Sequence, residues 1–242
     1  GMTGGVGGVQ GSLAEYAAVD ARLLAIKPAN LSMREAAAIP LSFITAWEGL
    51  VDRARVGEGK TVLVQGGSGG VGHIAVQLAI ARGARVFATA SAGKKDLIES
   101  YGAVAIDHQR STVEDYVKTY TGGEGFDIVF DAVGGAVLDA SFRAVRHYVG
   151  HVVSILGWGS HSLAPLSFRA ASYSGVFTLL PLLTGNGRAH HGEILQAARS
   201  IIEAGKLAPL VDPTRYTMDT VDLAYAAMED HSAKGKVVIE LS

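Results

Sequence analysis

The sequence contains no cysteine. Disulfides and thiolate metal sites are therefore excluded within these residues, and no metal is expected. Charge is also sparse: charged residues make up 18% of 242, and the formal net charge is −2. Such a balance draws the chain to neither nucleic acid nor an anionic membrane surface, so no partner of either kind is expected. No apolar run reaches the length of a membrane span, and the first residues do not read as a charged, apolar and small-residue leader. The expected compartment is the cytoplasm. Internal repeats and low-complexity linkers are lacking as well. What the chain does have is 48% hydrophobic residues and 31 glycines, enough for a sizeable core punctuated by turns.

Five of those glycines stand together. Thr61-Val62-Leu63-Val64-Gln65 predicts a buried strand, and Val71, Ile74, Ala75 and Leu78 lie on one face of a predicted helix over 70–82. Between strand and helix, Gly67, Gly69 and Gly72 fit G-x-G-x-x-G. In that motif the first glycine permits a tight turn, the second lets a pyrophosphate approach the backbone, and the third lets helix and strand pack closely. The unpaired N–H groups at the helix start then favour the anion. Gly67, Ser68, Gly69, Gly70, Val71 and Gly72 are the expected cradle. The same residues satisfy G-x-S-x-G, the elbow of a serine hydrolase, with Ser68 as nucleophile and Asp131 with His151 or His161 behind it. That alternative leaves Gly72 without a role. A Walker loop fails, because no Lys-Ser or Lys-Thr pair follows.

The rest of the chain alternates. Strands are predicted over 86–89, 104–106, 126–131 and 148–155, with helices over 96–101, 113–120 and 137–145 between them. This pattern implies an α/β fold with a doubly wound parallel sheet of Rossmann type and ligands at the carboxyl ends of the strands. Before it, strands are expected over 12–19 and 23–26. Ser32 and Glu35 form an expected capping box for a helix to Ile39, Pro40 interrupts it, and a helix resumes over 42–53. After it come a sixth strand over 174–180, helices at 194–202 and 221–228, and a closing strand over 237–239. His190 and His191 are expected in a solvated loop. Val133, Gly134, Leu156 and Gly157 follow strand ends, where a ribose or nicotinamide would lie. Phe43, Trp47 and Trp158 are candidates for an apolar substrate pocket.

Four stretches taken together resemble the medium-chain dehydrogenase/reductase superfamily in its zinc-free quinone-oxidoreductase branch. They are Gly66–Gly72 after its strand, Ile44-Thr45-Ala46-Trp47 upstream, Phe126–Gly135, and Gly205-Lys206-Leu207 followed by Gly235-Lys236-Val237-Val238. The resemblance implies a partial N-terminal catalytic domain (1–41), a dinucleotide-binding domain (42–184) and a return to the catalytic domain (185–242). Most of the family's N-terminal segment then lies outside these residues, so a chain of this extent is expected to bind nucleotide yet reduce quinones poorly. Thr45 resembles the family threonine beside the nicotinamide. Zinc-dependent relatives carry a cysteine near the place of Pro40-Leu41-Ser42; this chain departs from that pattern. The Tyr-x-x-x-Lys pair of short-chain dehydrogenases is absent.

The implied reaction is hydride transfer from a reduced nicotinamide to a quinone, an enone or a related carbonyl substrate. No proton donor is assigned. A non-catalytic nucleotide-binding protein is the alternative from another class. The cofactor is expected to be NADPH. The second strand ends Thr89-Ala90-Ser91, without the carboxylate that accepts a ribose 2′-hydroxyl in an NAD site. Ser91 offers a hydrogen bond, Lys94 and Lys95 bring positive charge, and His108 approaches the same place. The resemblance points to Lys95 in particular. It also implies a homodimer, formed through an edge strand that Val176-Phe177-Thr178-Leu179-Leu180 is expected to supply.

Overall fold

Runs of valine, isoleucine and phenylalanine without intervening charge build the centre of the molecule. The computed structural model describes residues 1–241. Six strands, β1 (Thr61–Gln65), β2 (Arg85–Ala90), β3 (Val104–Asp107), β4 (Ile128–Asp131), β5 (His151–Ser154) and β6 (Ser172–Gly175), form one sheet in the order β3-β2-β1-β4-β5-β6. All five pairings are parallel. Val62, Leu63, Val64, Phe87, Val129, Phe130, Val152 and Val153 are buried, so both faces of the central strands are covered. Chain order reverses between β1 and β4, which opens a crevice at the carboxyl ends of the two central strands.

The α-helices of the described residues are α1 (Met33–Ala37), α2 (Pro40–Trp47), α3 (Gly72–Ala81), α4 (Lys95–Ser100), α5 (Val113–Thr121), α6 (Ala136–Ala144), α7 (Ala164–Ser167), α8 (Leu180–Thr184), α9 (Arg188–Glu203) and α10 (Val221–Glu229). None of them is long and apolar enough to cross a membrane. Thr45–Phe177 make one compact unit, which contains the whole sheet. The core of that unit includes Leu63, Phe87, Phe126, Val129, Leu138, Phe142 and Val152. At the amino ends of β1 and β4, the Asp127 carboxylate accepts from the Thr61 N–H and hydroxyl, both at 2.9 Å, and from Arg146 at 3.1 Å. That end of the sheet is tied shut.

Residues 1–44 and those from 178 on make the second unit. There the expected capping box is present, with Ser32 accepting from the Glu35 N–H and the Glu35 carboxylate accepting from the Ser32 N–H. Arg34 donates to the backbone carbonyl of Thr214 and pairs with Glu240 at 3.0 Å. It thus ties α1 to the short parallel pair β7 (Tyr216–Thr217) and β8 (Ile239–Glu240).

Several expectations change. Residues 12–19 and 23–26 form no strands; the one regular turn there is a 3-10 turn at Ala21–Leu23. Tyr16 is 87% exposed, and among the described residues no strand pairs with this backbone, so its β-propensity has no ladder to join. The expected break beside Pro40 falls at Ala38 and Ile39, and Pro40 itself starts α2, where its missing N–H costs nothing. After α2 the chain widens into a π-helical turn over Glu48–Arg53. The sixth strand is the polar Ser172–Gly175; the Val176 N–H still donates to the Ser154 carbonyl at 3.0 Å, whereas residues 177–180 leave the sheet and turn into α8. Pro181 near the first position of α8 favours that outcome. His190 and His191 lie in the first turn of α9 rather than a loop, and His191 is buried.

Candidate functional site

The glycine turn joins β1 to α3 at the crevice. Here the left-handed backbone falls at Gly66, with φ +74°, one residue before the motif's first glycine. Gly67 and Gly72 serve by their lack of a side chain. A Cβ on Gly67 would lie 2.6 Å from the Ala88 Cβ, and one on Gly72 would lie 2.0 Å from the Gly66 carbonyl oxygen. Helix and strand are therefore in backbone contact, and the N-terminus of α3 faces the turn. A Cβ on Gly69 would meet only the Gly66 oxygen, at 3.2 Å, which leaves that segment accessible to an approaching anion. Ser68 is half-buried beside it.

Polar side chains at the strand ends hold this geometry. The Thr89 hydroxyl donates to the Gln65 side-chain oxygen at 2.8 Å and accepts from the Gly66 N–H at 3.0 Å. The Gln65 amide donates to the Tyr116 hydroxyl at 3.2 Å. Burial pushes the Tyr116 phenol above its ordinary value, so it stays protonated. Asp131, fully buried at the end of β4, accepts from the Val133 and Gly134 N–H groups and from the Ser154 hydroxyl at 2.7 Å. Gly134 adopts φ +78°, and a Cβ there would lie 2.5 Å from the Leu156 carbonyl oxygen. Thus Val133, Gly134, Leu156 and Gly157 come together at the ends of β4 and β5.

A cavity of about 630 Å³ opens over these strand ends. Its wall combines Gln65, Gly66, Ser68 and Thr89 with apolar Val133, Ala136, Val137 and Ala140. Such a mixed wall suits a heteroaromatic ring joined to polar groups. Ala90 and Ser91 line this cavity and also a second one of about 290 Å³, where Lys95 and Arg110 stand. His108 lines the larger cavity with Ser91. Lys95 pairs loosely with Glu99 and Arg110 with Asp107, each at 3.6 Å, and Arg110 is 84% exposed. Both cations are thus free to reorient towards an anion.

Some expected site residues do not join this group. Thr45 is buried in α2. Phe43 is fully buried and offers no surface to a substrate. The Trp47 indole donates to Asp52 at 3.1 Å and lies under the Arg82 guanidinium, 5.9 Å from the ring centre. Arg82 follows the last turn of the ten-residue α3, which carries it about 15 Å from the glycine turn. Trp47 is therefore at the far end of the helix from the crevice. Trp158 is 62% exposed after β5, its ring edge-on to Phe177 at 6.0 Å. The hydrolase triad is not assembled either. Asp131 is bonded to Ser154, His161 to Asp139 and His151 to Ser174.

Sequence reasoning missed Gln65, Thr89, Tyr116 and Arg110. Gln65 and Thr89 were legible in principle as polar residues closing two otherwise apolar strands. Arg110 depends on how β3 returns beside β2, which no local pattern shows.

The family model described as "Zinc-binding dehydrogenase" matches residues 101–239. The chain is 39% identical over 233 residues to a 2-methylene-furan-3-one reductase of Solanum lycopersicum, covering 95% of this chain and 52% of that protein. It is 37% identical over 233 residues to an NADPH-dependent alkenal/one oxidoreductase, chloroplastic, of Arabidopsis thaliana, covering 95% and 53%. It therefore spans about half the length of these curated relatives. A crystal structure of an alcohol dehydrogenase superfamily protein from Novosphingobium aromaticivorans superposes with a TM-score of 0.96 at 56% identity, covering 99% of this chain and 73% of that one. Cysteine is absent from the sequence, and among the described residues no three or more His, Asp or Glu side chains converge as metal ligands would. The residues present do not fit the metal in that family's description.

Proposed function

The chain belongs to the medium-chain dehydrogenase/reductase superfamily, and from that premise we propose that it holds NADPH for zinc-independent reduction of an enone, a quinone or a related carbonyl compound. The observation that carries the reading is the backbone contact of Gly72 with Gly66 beneath the strand-end cavity, since it leaves an anion-sized cradle beside room for a base. The names of the two plant relatives, both reductases or oxidoreductases of conjugated ketones or aldehydes, support the substrate class.

In this reading residues 67–72 receive the pyrophosphate on the α3 terminus and its N–H groups. Ser91 and Lys95 receive the 2′-phosphate, with Arg110 beside them. Val133, Gly134, Leu156 and Gly157 flank the nicotinamide half, with Thr45 nearby in the family's manner. Bound NADPH supplies a hydride to the electron-poor carbon. The protein contributes orientation and exclusion of water from that end of the cofactor. Residues 1–41 and 185–242 belong to a catalytic domain in the same reading, and a cytoplasmic address goes with it.

Nicotinamide fluorescence should rise on titrating NADPH into the chain, and an enone should then accelerate NADPH oxidation, weakly with this chain and strongly with a version extended to its relatives' length. No nucleotide binding would sink the proposal. Binding without turnover of any enone or quinone, by this chain and by a version extended to its relatives' length, would favour a binding protein instead. The homodimer is proposed through the open edge of β6, whose outer side pairs with no strand among the described residues. Light scattering at micromolar concentration should give twice 25.1 kDa, and a monomer mass would refute it.

A further inference from the structure

The loop that leaves β5 is fastened at both ends. At its start, the Ser154 hydroxyl donates to Asp131 and accepts from the Leu156 N–H at 3.2 Å. At its far end, His161 Nδ1 lies 2.8 Å from Asp139 Oδ1 on α6, while Nε2 lies 3.4 Å from the Trp158 carbonyl oxygen. The ring therefore has an acceptor at each nitrogen. A neutral imidazole carries one N–H and satisfies one of them, whereas the imidazolium satisfies both. The His161 side chain is 12% exposed and its ring meets Phe142 edge-on at 6.4 Å, so the geometry is held by packing as well. Phe142 in turn meets Tyr173, whose hydroxyl lies against Gly157; a Cβ there would be 2.3 Å away. Between the two fastenings lie Gly157, the exposed Trp158 and Gly159 at φ +102°.

We infer that His161, as an imidazolium, clamps the loop after β5 onto α6 and thereby positions Leu156 and Gly157 for the nicotinamide half of the nucleotide. It is a positioning residue, and its bearing on the nucleotide rests on the function proposed above. The charged and titratable groups facing it are Asp139 from α6 and Asp131 from the end of β4, with the Tyr173 phenol of β6 beyond Phe142. The hydrogen bond to Asp139 above all, against the opposing effect of burial, raises His161 above its ordinary value. A raised value fixes the sign. The clamp is complete below about pH 6.5, the ordinary histidine value, and is lost as pH rises through the raised one.

The sequence has two tryptophans, so in a Trp47→Phe background Trp158 alone reports the loop. Without nucleotide, its emission should show one titration, with its midpoint above the ordinary histidine value of about 6.5. His161→Gln should abolish that titration, and Asp139→Asn should move its midpoint to lower pH. The Kd for NADPH should weaken about fivefold on passing the midpoint. In His161→Gln it should stay at the weaker value throughout, with an unchanged melting temperature as the check on folding. A Trp158 titration that survives His161→Gln, or none in the parent, would overturn the inference. Failure of NADPH to bind at any pH would count against the proposed function, while the fluorescence titration would still judge the clamp.

Discussion

Replacing Gly72 with alanine should disrupt the Thr45–Phe177 unit and abolish nucleotide binding together. The added Cβ would lie 2.0 Å from the Gly66 oxygen, 2.8 Å from the Gly66 carbonyl carbon and 3.0 Å from the Gly67 Cα. All three are backbone atoms, so no rotamer change relieves the clash. Either α3 moves away from β1, or the turn that begins at left-handed Gly66 is rebuilt. Ordinary overpacking costs about 1–3 kcal/mol because side chains yield; here the loss should exceed that range. Gly69→Ala is the matched control. Its Cβ would be 3.2 Å from the Gly66 oxygen and would point to accessible space, so the fold should hold within about 1 kcal/mol. Affinity for NADPH should nevertheless fall by about tenfold or more, roughly 1.4 kcal/mol, because the methyl group stands where the pyrophosphate approaches the backbone. Thermal unfolding and nicotinamide fluorescence on the three proteins decide it. A Gly72→Ala protein with native melting temperature and native NADPH affinity would refute the account of the turn.

This pair shows how far the sequence could be read. The spacing of Gly67, Gly69 and Gly72 between a strand and a helix is a local pattern, and each local demand in it is physical. The doubly wound parallel sheet follows from alternation plus the right-handed crossover rule, whereas the order β3-β2-β1-β4-β5-β6 is one of several such sheets and is a finding of the structure. The polar residues that hold the crevice were harder to see. Asp131, Ser154 and Gly134 meet across two strands, and Gln65, Thr89 and Tyr116 across two strands and a helix. Nothing in one segment announces its partner in another. The misread places share a cause. Residues 12–19 have strand composition but no paired strand among the described residues, and Val176–Leu180 has strand composition but a proline at its end that begins a helix. Trp47 is large and apolar, which suggests a pocket, whereas its indole donates to Asp52 and lies beside Arg82 at the other end of α3.

Charge reversal at the second cavity should invert cofactor choice. The wild-type chain is expected to bind NADPH at least about tenfold more tightly than NADH, and Lys95→Glu to lose that preference. The structure adds a second cation to the same place. Lys95 and Arg110 both line the cavity of about 290 Å³ with Ser91. Each cation now faces a carboxylate at 3.6 Å, too far for a short charge-assisted hydrogen bond, and both are well exposed. A dianionic 2′-phosphate would compete well with such loose, solvated pairs, since exposed ion pairs are worth at most about 1 kcal/mol. Asp107 stands in the same cavity, and with Arg110 drawn away its charge would oppose the phosphate unless the second cation stays close. Hydrogen bonds to charged groups contribute about 1.5–3 kcal/mol each, so losing both cations should lower NADPH affinity by about a hundredfold or more. Lys95→Glu combined with Arg110→Glu should therefore prefer NADH, because two new carboxylates repel the phosphate and accept from the free 2′-hydroxyl. Arg110→Ala alone should weaken NADPH and leave NADH nearly unchanged. Raising the salt concentration should erode the wild-type preference and spare the double variant, whose NADH binding involves no phosphate at that position. Dissociation constants for both nucleotides in the four proteins, at two salt concentrations, provide the test. Equal wild-type affinities would remove the 2′-phosphate site, and an Arg110→Ala protein with full selectivity would leave Lys95 and Ser91 to account for it without Arg110.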